Sequence, residues 1–201
     1  TCYDRQLDES SVNPGAMYLE KMVSGMYLGE ISRLILMDLI KRDLIFLNMP
    51  DGAEPFKKKD SLKTGDMSLI EADETGNLDE VEAFLNNNGI SNIPLHDRAA
   101  LKRLCKIVST RAARLGAVAI SAVITWMDPV LDHKHTVAID GSLFEKYPGF
   151  GSKIEDMFKK LYGEKAGKIA LVHSRDGSGK GAAIMAAVAA SSAKNISLYE
   201  Q

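Results

Sequence analysis

The chain has 201 residues, a formal net charge of −2 and 45% hydrophobic residues. It is long enough for one sizeable core and has the composition of a soluble globular protein. The small charge gives no general attraction to nucleic acid or acidic membranes, and no apolar run reaches the roughly 18 residues of a membrane span. The two cysteines, Cys2 and Cys105, are too few for a secreted disulfide framework. They predict a reducing, cytosolic compartment, whereas no pattern defines an oligomeric state.

The first third of the chain is predicted to be helical after a polar start. Residues 1–12 are polar, and we expect a helix to begin only late in this segment. Asn13-Pro14-Gly15 predicts a turn or a helix start. The spacing of apolar residues predicts a helix over 17–42. The prolines, glycine and lysines of residues 48–63 predict a loop, and a short helix is expected to follow Thr64.

Two further helices are predicted in the middle of the chain. Asn77 is a good N-cap, and Glu80 three residues later completes a capping box. This helix should end at Gly89. A helical period then continues over about 95–127, with Cys105 on its apolar stripe. We expect a break near Ser109-Thr110, where hydroxyl and β-branched side chains meet.

The last third has a different pattern, in which strands and helices alternate. Residues 135–139 and 168–172 predict two short strands, and a helix is expected between them over 151–162. An alanine-rich helix follows Gly181 and is apolar almost all round, which predicts that it is buried. Strand, helix, strand and helix in this order indicate a parallel α/β unit.

A glycine-containing loop follows each predicted strand. The loops are Asp140-Gly141-Ser142 and Asp176-Gly177-Ser178-Gly179-Lys180-Gly181. Ligands of open α/β sheets bind outside the carboxyl ends of the strands, and glycine lets the backbone approach a phosphate. The second loop lacks the Ser or Thr that follows Gly-Lys in a P-loop. From spacing alone, a phosphate loop and a plain tight turn therefore remain equally open. Asp140 and Asp176 could order these loops, although capping of the turns is the expected role of each.

Residues 13–30 read NPGAMYLEKMVSGMYLGE, and they closely resemble the large-lobe glucose-site signature of eukaryotic hexokinases. Three further blocks match the family in its order along the chain. Residues 108–113 resemble its long central helix, residues 137–144 its second phosphate motif and residues 176–183 its adenosine motif. The resemblance covers nearly the whole chain, and four blocks in order are far more specific than one glycine loop.

The resemblance implies an α/β fold, a partial actin-like ATPase (ribonuclease H-like) large lobe that is helix-rich and has a short parallel strand pair. Residues 1–201 would form this C-terminal lobe, incomplete at its N-terminal side and without the small lobe. The implied activity of the parent protein is ATP-dependent phosphorylation of a hexose, glucose above all, at the 6-hydroxyl. This is the first step of glycolysis, and it uses ATP and Mg²⁺.

The resemblance also implies roles for individual residues. Glu20 matches the carboxylate that hydrogen-bonds glucose, although by pattern alone it is an exposed helix glutamate. Met17 belongs to the same substrate site but stands where the family commonly has Gln, and Arg175 replaces a usual acidic residue. The implied nucleotide contacts are Gly25, Met26, Thr64, Ser68, Gly141, Ser142, Gly177 and Ser178.

No catalytic residue and no metal ligand is assigned within residues 1–201, because the family's general base lies in the small lobe. We therefore expect these residues alone to be inactive and poorly stable, with apolar side chains exposed. A non-catalytic hexokinase-like sugar sensor or regulatory half is the alternative function. A generic nucleotide-binding domain also fits the loops, but it leaves residues 13–30 unexplained.

Overall fold

Helices dominate the computed structural model, which describes residues 1–47 and 54–197, with side chains to residue 190. The elements in chain order are α1 Cys2–Glu9, α2 Tyr18–Val23, α3 Gly25–Lys41, α4 Glu54–Lys57, α5 Thr64–Ala72, α6 Asp79–Asn87, α7 Leu95–Met127, β1 His135–Ile139, α8 Ser142–Lys146, α9 Phe150–Tyr162, a 3₁₀ helix Gly163–Lys168, β2 Ile169–His173 and α10 Gly177–Ser197. The predicted loop over 48–63 lies partly outside the described residues. Its described part contains the short helix α4.

The two strands pair in parallel, as predicted. Their register runs from His135 opposite Ile169 to Ile139 opposite His173. β1 matches its predicted bounds, whereas β2 begins one residue later than predicted. Lys168 ends the preceding 3₁₀ helix, and its ammonium group donates to the carbonyls of Leu131 and Asp132, at 2.8 and 2.9 Å.

The long helix α7 forms the centre of the core. It packs against α2, α3, α5, α6 and α9, and Leu101, Cys105 and Ala112 on its apolar stripe are fully buried. The predicted break near Ser109-Thr110 was wrong, since α7 continues without interruption for 33 residues. The Ser109 hydroxyl lies 2.6 Å from Glu71 Oε2 and 3.1 Å from the Lys106 carbonyl oxygen of its own helix, so both partners are compatible with an uninterrupted helix.

Length and apolar composition alone would allow α7 to cross a membrane. Its most apolar window has a mean hydropathy of 1.5. The same composition is also typical of the central helix of a globular core, and α7 packs against five other helices. Within the described structure, 39% of this window is buried.

The N-terminal helices begin and end differently from the prediction. α1 begins at Cys2 instead of late in the segment, because Thr1 Oγ1 accepts the Asp4 N–H at 3.3 Å and caps the helix. The helix predicted over 17–42 is two helices. They separate at Ser24, which has an extended backbone with φ −76° and ψ 138° and whose side chain caps α3.

The cap of α6 also differs from the prediction. The expected capping box of Asn77 and Glu80 was wrong. The carboxylate of Asp73 instead accepts two N–H groups of the first turn, at 2.9 and 3.1 Å, and Thr75 Oγ1 accepts a third at 2.8 Å. The helix ends before Gly89 as predicted, and this glycine has a φ of +78°.

The alanine-rich helix α10 is exposed, so the prediction that it is buried was wrong. Every residue from 182 to 190 is exposed to solvent, including Ile184 at 63% and Met185 at 67%. Trp126 at the end of α7 is exposed to 84%. Apolar side chains are therefore exposed on α10 and at the end of α7, in the direction expected.

Candidate active site

The first turns of α3, α5 and α8 surround a cavity of about 330 Å³. Its lining residues are Gly25, Thr64, Gly65, Ser68, Ser142, Leu143, Lys146 and Tyr147. Half of the residues implied as nucleotide contacts thus lie together, although they come from three separate helices. These residues are Gly25, Thr64, Ser68 and Ser142.

α3 crosses the start of α5 at Gly29 with almost no separation. A Cβ at this position would lie 2.4 Å from the Leu62 carbonyl oxygen and 2.6 Å from the Thr64 nitrogen, so only glycine fits. The close approach lets the Gly29 N–H donate to Thr64 Oγ1 at 3.0 Å. Because this bond occupies an acceptor position of the hydroxyl, the O–H of Thr64 remains available to donate to a ligand.

The cavity wall suits an anion. α3 and α5 direct their N-termini to it, where the first N–H groups and the positive end of the helix dipole favour negative charge. The hydroxyls of Ser68 and Ser142 add further donors, and Lys146 adds a positive charge. Gly65 leaves open space, since nothing lies within 4 Å of a Cβ built there. A phosphate group is the biological anion that such donors hold.

A buried polar network forms the floor of the cavity. The hydroxyl of Tyr147 donates to Glu71 Oε2 at 2.8 Å, and Ser109 donates to the same oxygen at 2.6 Å. Lys153 pairs with the other oxygen of Glu71 and donates to Ser109 Oγ at 2.6 Å. Burial and then the charge of Glu71 raise the pKa of Tyr147, which keeps its phenol protonated. The network joins α5, α7 and α9 behind the cavity.

The second glycine loop lies beside the first at the carboxyl ends of the strands. The Asp140 carboxylate accepts the N–H and the hydroxyl of Ser178, both at 3.3 Å. A Cβ at Gly177 would lie 2.9 Å from Ser174 Oγ and 3.3 Å from this carboxylate. Asp140 therefore orders the second loop and brings Gly177 to the same edge of the sheet as Ser142.

The remaining implied nucleotide contacts lie outside the cavity lining. Gly141 directly precedes Ser142 in the first loop, whereas Gly177 and Ser178 border Asp140. Met26 points to solvent with 75% of its surface exposed. Its N–H already donates to Ser24 Oγ at 3.3 Å, so it is not a free donor for a ligand.

The implied sugar residues lie on α2, immediately before α3. Glu20 is partly buried, and its carboxylate has no hydrogen bond or ion pair to any other residue that the structure describes. Met17 stands at the N-terminus of α2 with a φ of 55°. Its sulfur accepts the Asn13 side-chain N–H at 3.1 Å. Glu20 is five residues from Gly25, which limits their Cα separation to about 18 Å.

Comparison with known proteins gives one consistent answer. The family model described as hexokinase matches residues 1–188. The chain belongs to the hexokinase family. It is 37% identical over 194 residues to Hexokinase-2 of Saccharomyces cerevisiae, covering 94% of this chain and 39% of the yeast protein. Hexokinase-2 of Rattus norvegicus is 36% identical over 94% of this chain, which spans 20% of the rat protein.

A solved structure of a hexokinase relative supports the fold. The hexokinase from Schistosoma mansoni complexed with glucose superposes with a TM-score of 0.80 at 33% identity, covering 94% of this chain and 41% of that one. The hexokinase fold and its partial, helix-rich form in this chain are thereby established. The chain spans about two fifths of the yeast relative and of this structure.

Sequence reasoning missed several residues of the site. A signal existed for Gly29, because a glycine within a helix costs about 1 kcal/mol relative to alanine and often marks close packing. Another existed for Lys146, which follows Ser142 by four residues and so shares its helix face. Glu71 and Lys153 gave no signal, since they are 82 residues apart. Among the described residues, no group of three or more His, Cys, Asp or Glu side chains could hold a metal ion.

Proposed function

We propose that this chain forms most of the large lobe of an ATP-dependent hexokinase, which transfers a phosphoryl group from ATP to the 6-hydroxyl of a hexose, with glucose as the expected substrate. The small lobe and the first part of the large lobe would belong to the rest of a longer protein. Membership of the hexokinase family supports this proposal, as does the share of the yeast relative that the chain covers, 39%.

One observation carries the proposal. Glu20 holds a partly buried carboxylate without a protein partner, and it lies five residues from the helix N-terminus that borders the cavity. A carboxylate of this kind accepts charge-assisted hydrogen bonds from sugar hydroxyls. The adjacent cavity holds donors for phosphate, so one segment brings an acceptor for the sugar next to a site for the nucleotide. Phosphoryl transfer requires the sugar and the nucleotide to be held close together in this way.

The residues of this chain would bind and orient, and they would not abstract the proton. Thr64, Ser68, Ser142 and Lys146 fit the phosphates of ATP by the chemistry of their donors. Gly177 and Ser178 would border the adenosine, and Glu20 with Met17 would contact the hexose. The general base would come from the missing small lobe. Mg²⁺ would be expected to arrive bound to the nucleotide phosphates.

The proposal includes a cytosolic location, which the two free cysteines support. The alternative, a sugar-binding protein without kinase activity, uses the same residues of this chain. The two functions differ only in the part of the protein that would carry the general base.

The test is a steady-state assay of the full-length protein with glucose, ATP and Mg²⁺, with formation of hexose 6-phosphate as the readout. The wild type should form product only with nucleotide present. Glu20→Gln should lower kcat/KM by at least about tenfold, because it removes charge-assisted hydrogen bonds worth about 1.5–3 kcal/mol each. Glu155→Gln, at an exposed position on α9, should leave kcat/KM unchanged. A wild type that binds glucose but forms no product would favour the sugar sensor.

A further inference from the structure

A buried ion pair holds the turn that precedes the proposed sugar-binding glutamate. Lys21 on α2 is 2% exposed and Asp8 on α1 is 9% exposed. The Lys21 ammonium lies 2.6 Å from Asp8 Oδ1. Burial of both charges costs desolvation energy, and such a pair often adds little to stability compared with apolar side chains of the same size. The pair also makes hydrogen bonds with the backbone of the neighbouring turn.

Both members of the pair bind the backbone of the same turn. The Lys21 ammonium donates to the Asn13 carbonyl at 2.7 Å. The Gly15 N–H donates to the two Asp8 oxygens at 3.0 and 3.2 Å. The hydrogen bond from Lys21, and then the one from Gly15, lower the pKa of Asp8, so its carboxylate stays ionised at neutral pH. One pair thus holds the Asn13-Pro14-Gly15 turn at two points.

The pair also restricts how α2 is rotated about its own axis, together with the packing of α2 against α3 and α7. α2 has only 6 residues, and a helix this short has no stability of its own in water. Successive residues of a helix point about 100° apart. With Lys21 anchored in the interior, the neighbouring Glu20 is directed away from that anchor and is partly exposed. The ion pair between Lys21 and Asp8 therefore orients the Glu20 carboxylate.

We propose that Asp8 and Lys21 are positioning residues for the hexose: they hold the turn at 13–15 and the rotation of α2, and thereby the Glu20 carboxylate, in the geometry that binds sugar. This inference deepens the proposed function and rests on it. Neither residue contacts the nucleotide cavity. Loss of the pair should therefore affect hexose binding and leave the nucleotide site intact.

The experiment measures glucose affinity by titration calorimetry, and the KM for ATP, in the full-length protein. Lys21→Met keeps the length of the side chain and removes its charge. It should weaken glucose binding at least tenfold and leave the KM for ATP within twofold of wild type. Lys21→Arg keeps the charge and the donors, and it should recover most of the affinity. Recovery by this conservative variant would not follow from apolar packing alone.

Arg33→Met is the matched control. Arg33 also forms a buried ion pair, at 2.6 Å from Glu30, and donates to a backbone carbonyl, that of Phe56, at 2.6 Å. This variant should lower the melting temperature as Lys21→Met does, yet leave glucose affinity within twofold of wild type. If both variants weaken glucose binding equally, the pair is structural only and the inference is wrong.

A second variant covers the case in which Lys21→Met does not fold. Asp8→Asn keeps an oxygen to accept the Gly15 N–H but loses the ion pair, and it should weaken glucose binding at least threefold. Glucose affinity within twofold of wild type in either folded variant overturns the inference while the proposed function stands. A folded wild-type protein that binds no hexose overturns both.

Discussion

The helices up to α7 and the strand unit from β1 to α10 differ in how well their apolar side chains are buried. Around α7, apolar side chains such as Leu101 and Met67 are fully buried, whereas Ile184 and Met185 of α10 are exposed to 63% and 67%. Both regions have strongly apolar sequences. The difference teaches that an apolar helix face is buried only where another element supplies the complementary surface, and the two-stranded sheet does not supply it.

The largest effect should come from truncating an apolar side chain in each region. Leu101→Ala removes a side chain with 0% exposure, and we expect it to lower the free energy of unfolding by about 2–5 kcal/mol. Ile184→Ala removes one that is 63% exposed, and the change should stay within about 0.5 kcal/mol. Urea titration of the two variants measures both changes in the free energy of unfolding. Equal losses would mean that α10 is covered in solution.

The glycines of the two regions should differ in the same way. Gly29→Ala places a Cβ 2.4 Å from the Leu62 carbonyl oxygen, and the overpacking should cost about 1–3 kcal/mol of unfolding free energy. Gly181→Ala on α10 meets nothing within 4 Å and should be neutral or stabilise by up to about 1 kcal/mol. Thermal unfolding of both variants checks this. A Gly29→Ala protein as stable as wild type would contradict the close crossing of α3 and α5.

Features with a local sequence signal were predicted correctly, whereas features that depend on distant residues were not. The apolar period of α7 and the β-branched residues of β1 are local signals, and both elements form where they are predicted. The cap of α6 is made by Asp73, and the Ser109 hydroxyl of α7 bonds to Glu71, which is 38 residues away along the chain. Such long-range partners leave no local pattern.

The site follows the same division. Motif matching placed Gly25, Thr64, Ser68 and Ser142 in one nucleotide site, and the fold brings them together around one cavity. Motif matching did not identify the network of Tyr147, Glu71 and Lys153 beneath them, because chain folding rather than spacing creates it. Burial of α10 was predicted wrongly for a related reason: a sequence describes a helix face but not the surface that covers it.

Acid should weaken the junction between the two regions. Asp128, at the end of α7, accepts the N–H groups of His133 and Asp132 at 2.9 and 3.0 Å and bonds to His135 Nε2 at 3.0 Å. The hydrogen bond from the His133 backbone is the largest of the causes that hold the pKa of Asp128 well below its usual range. The folded-state pKa is lowered. The stabilisation is therefore present above the unfolded pKa of about 3.9 and is lost as pH falls below it.

Asp128→Asn tests this effect. The variant should be less stable than wild type at pH 7, and the difference should shrink as pH falls below about 3.9, where the wild-type carboxylate begins to lose its advantage. Urea midpoints at a series of pH values measure it. Asp132→Asn is the control, since its side chain is 65% exposed and should contribute little. A constant difference at every pH would exclude the carboxylate charge as the cause.

The smallest effect should be at the border of the two regions, where α3 and α5 line one side of the cavity and the strand unit lines the other, with Lys146 among its lining residues. Lys146 is exposed, and an exposed charge is screened, so its interaction with a phosphate should be worth about 1 kcal/mol or less. Lys146→Gln in the full-length protein should therefore raise the KM for ATP about two- to fivefold, with the KM for glucose unchanged. The increase should shrink with added salt, because screening already weakens the wild-type contact. Lys160→Gln on α9, equally exposed but outside this cavity, should have no effect on either constant. An unchanged KM for ATP at low salt would mean that the charge of Lys146 does not contribute to nucleotide binding.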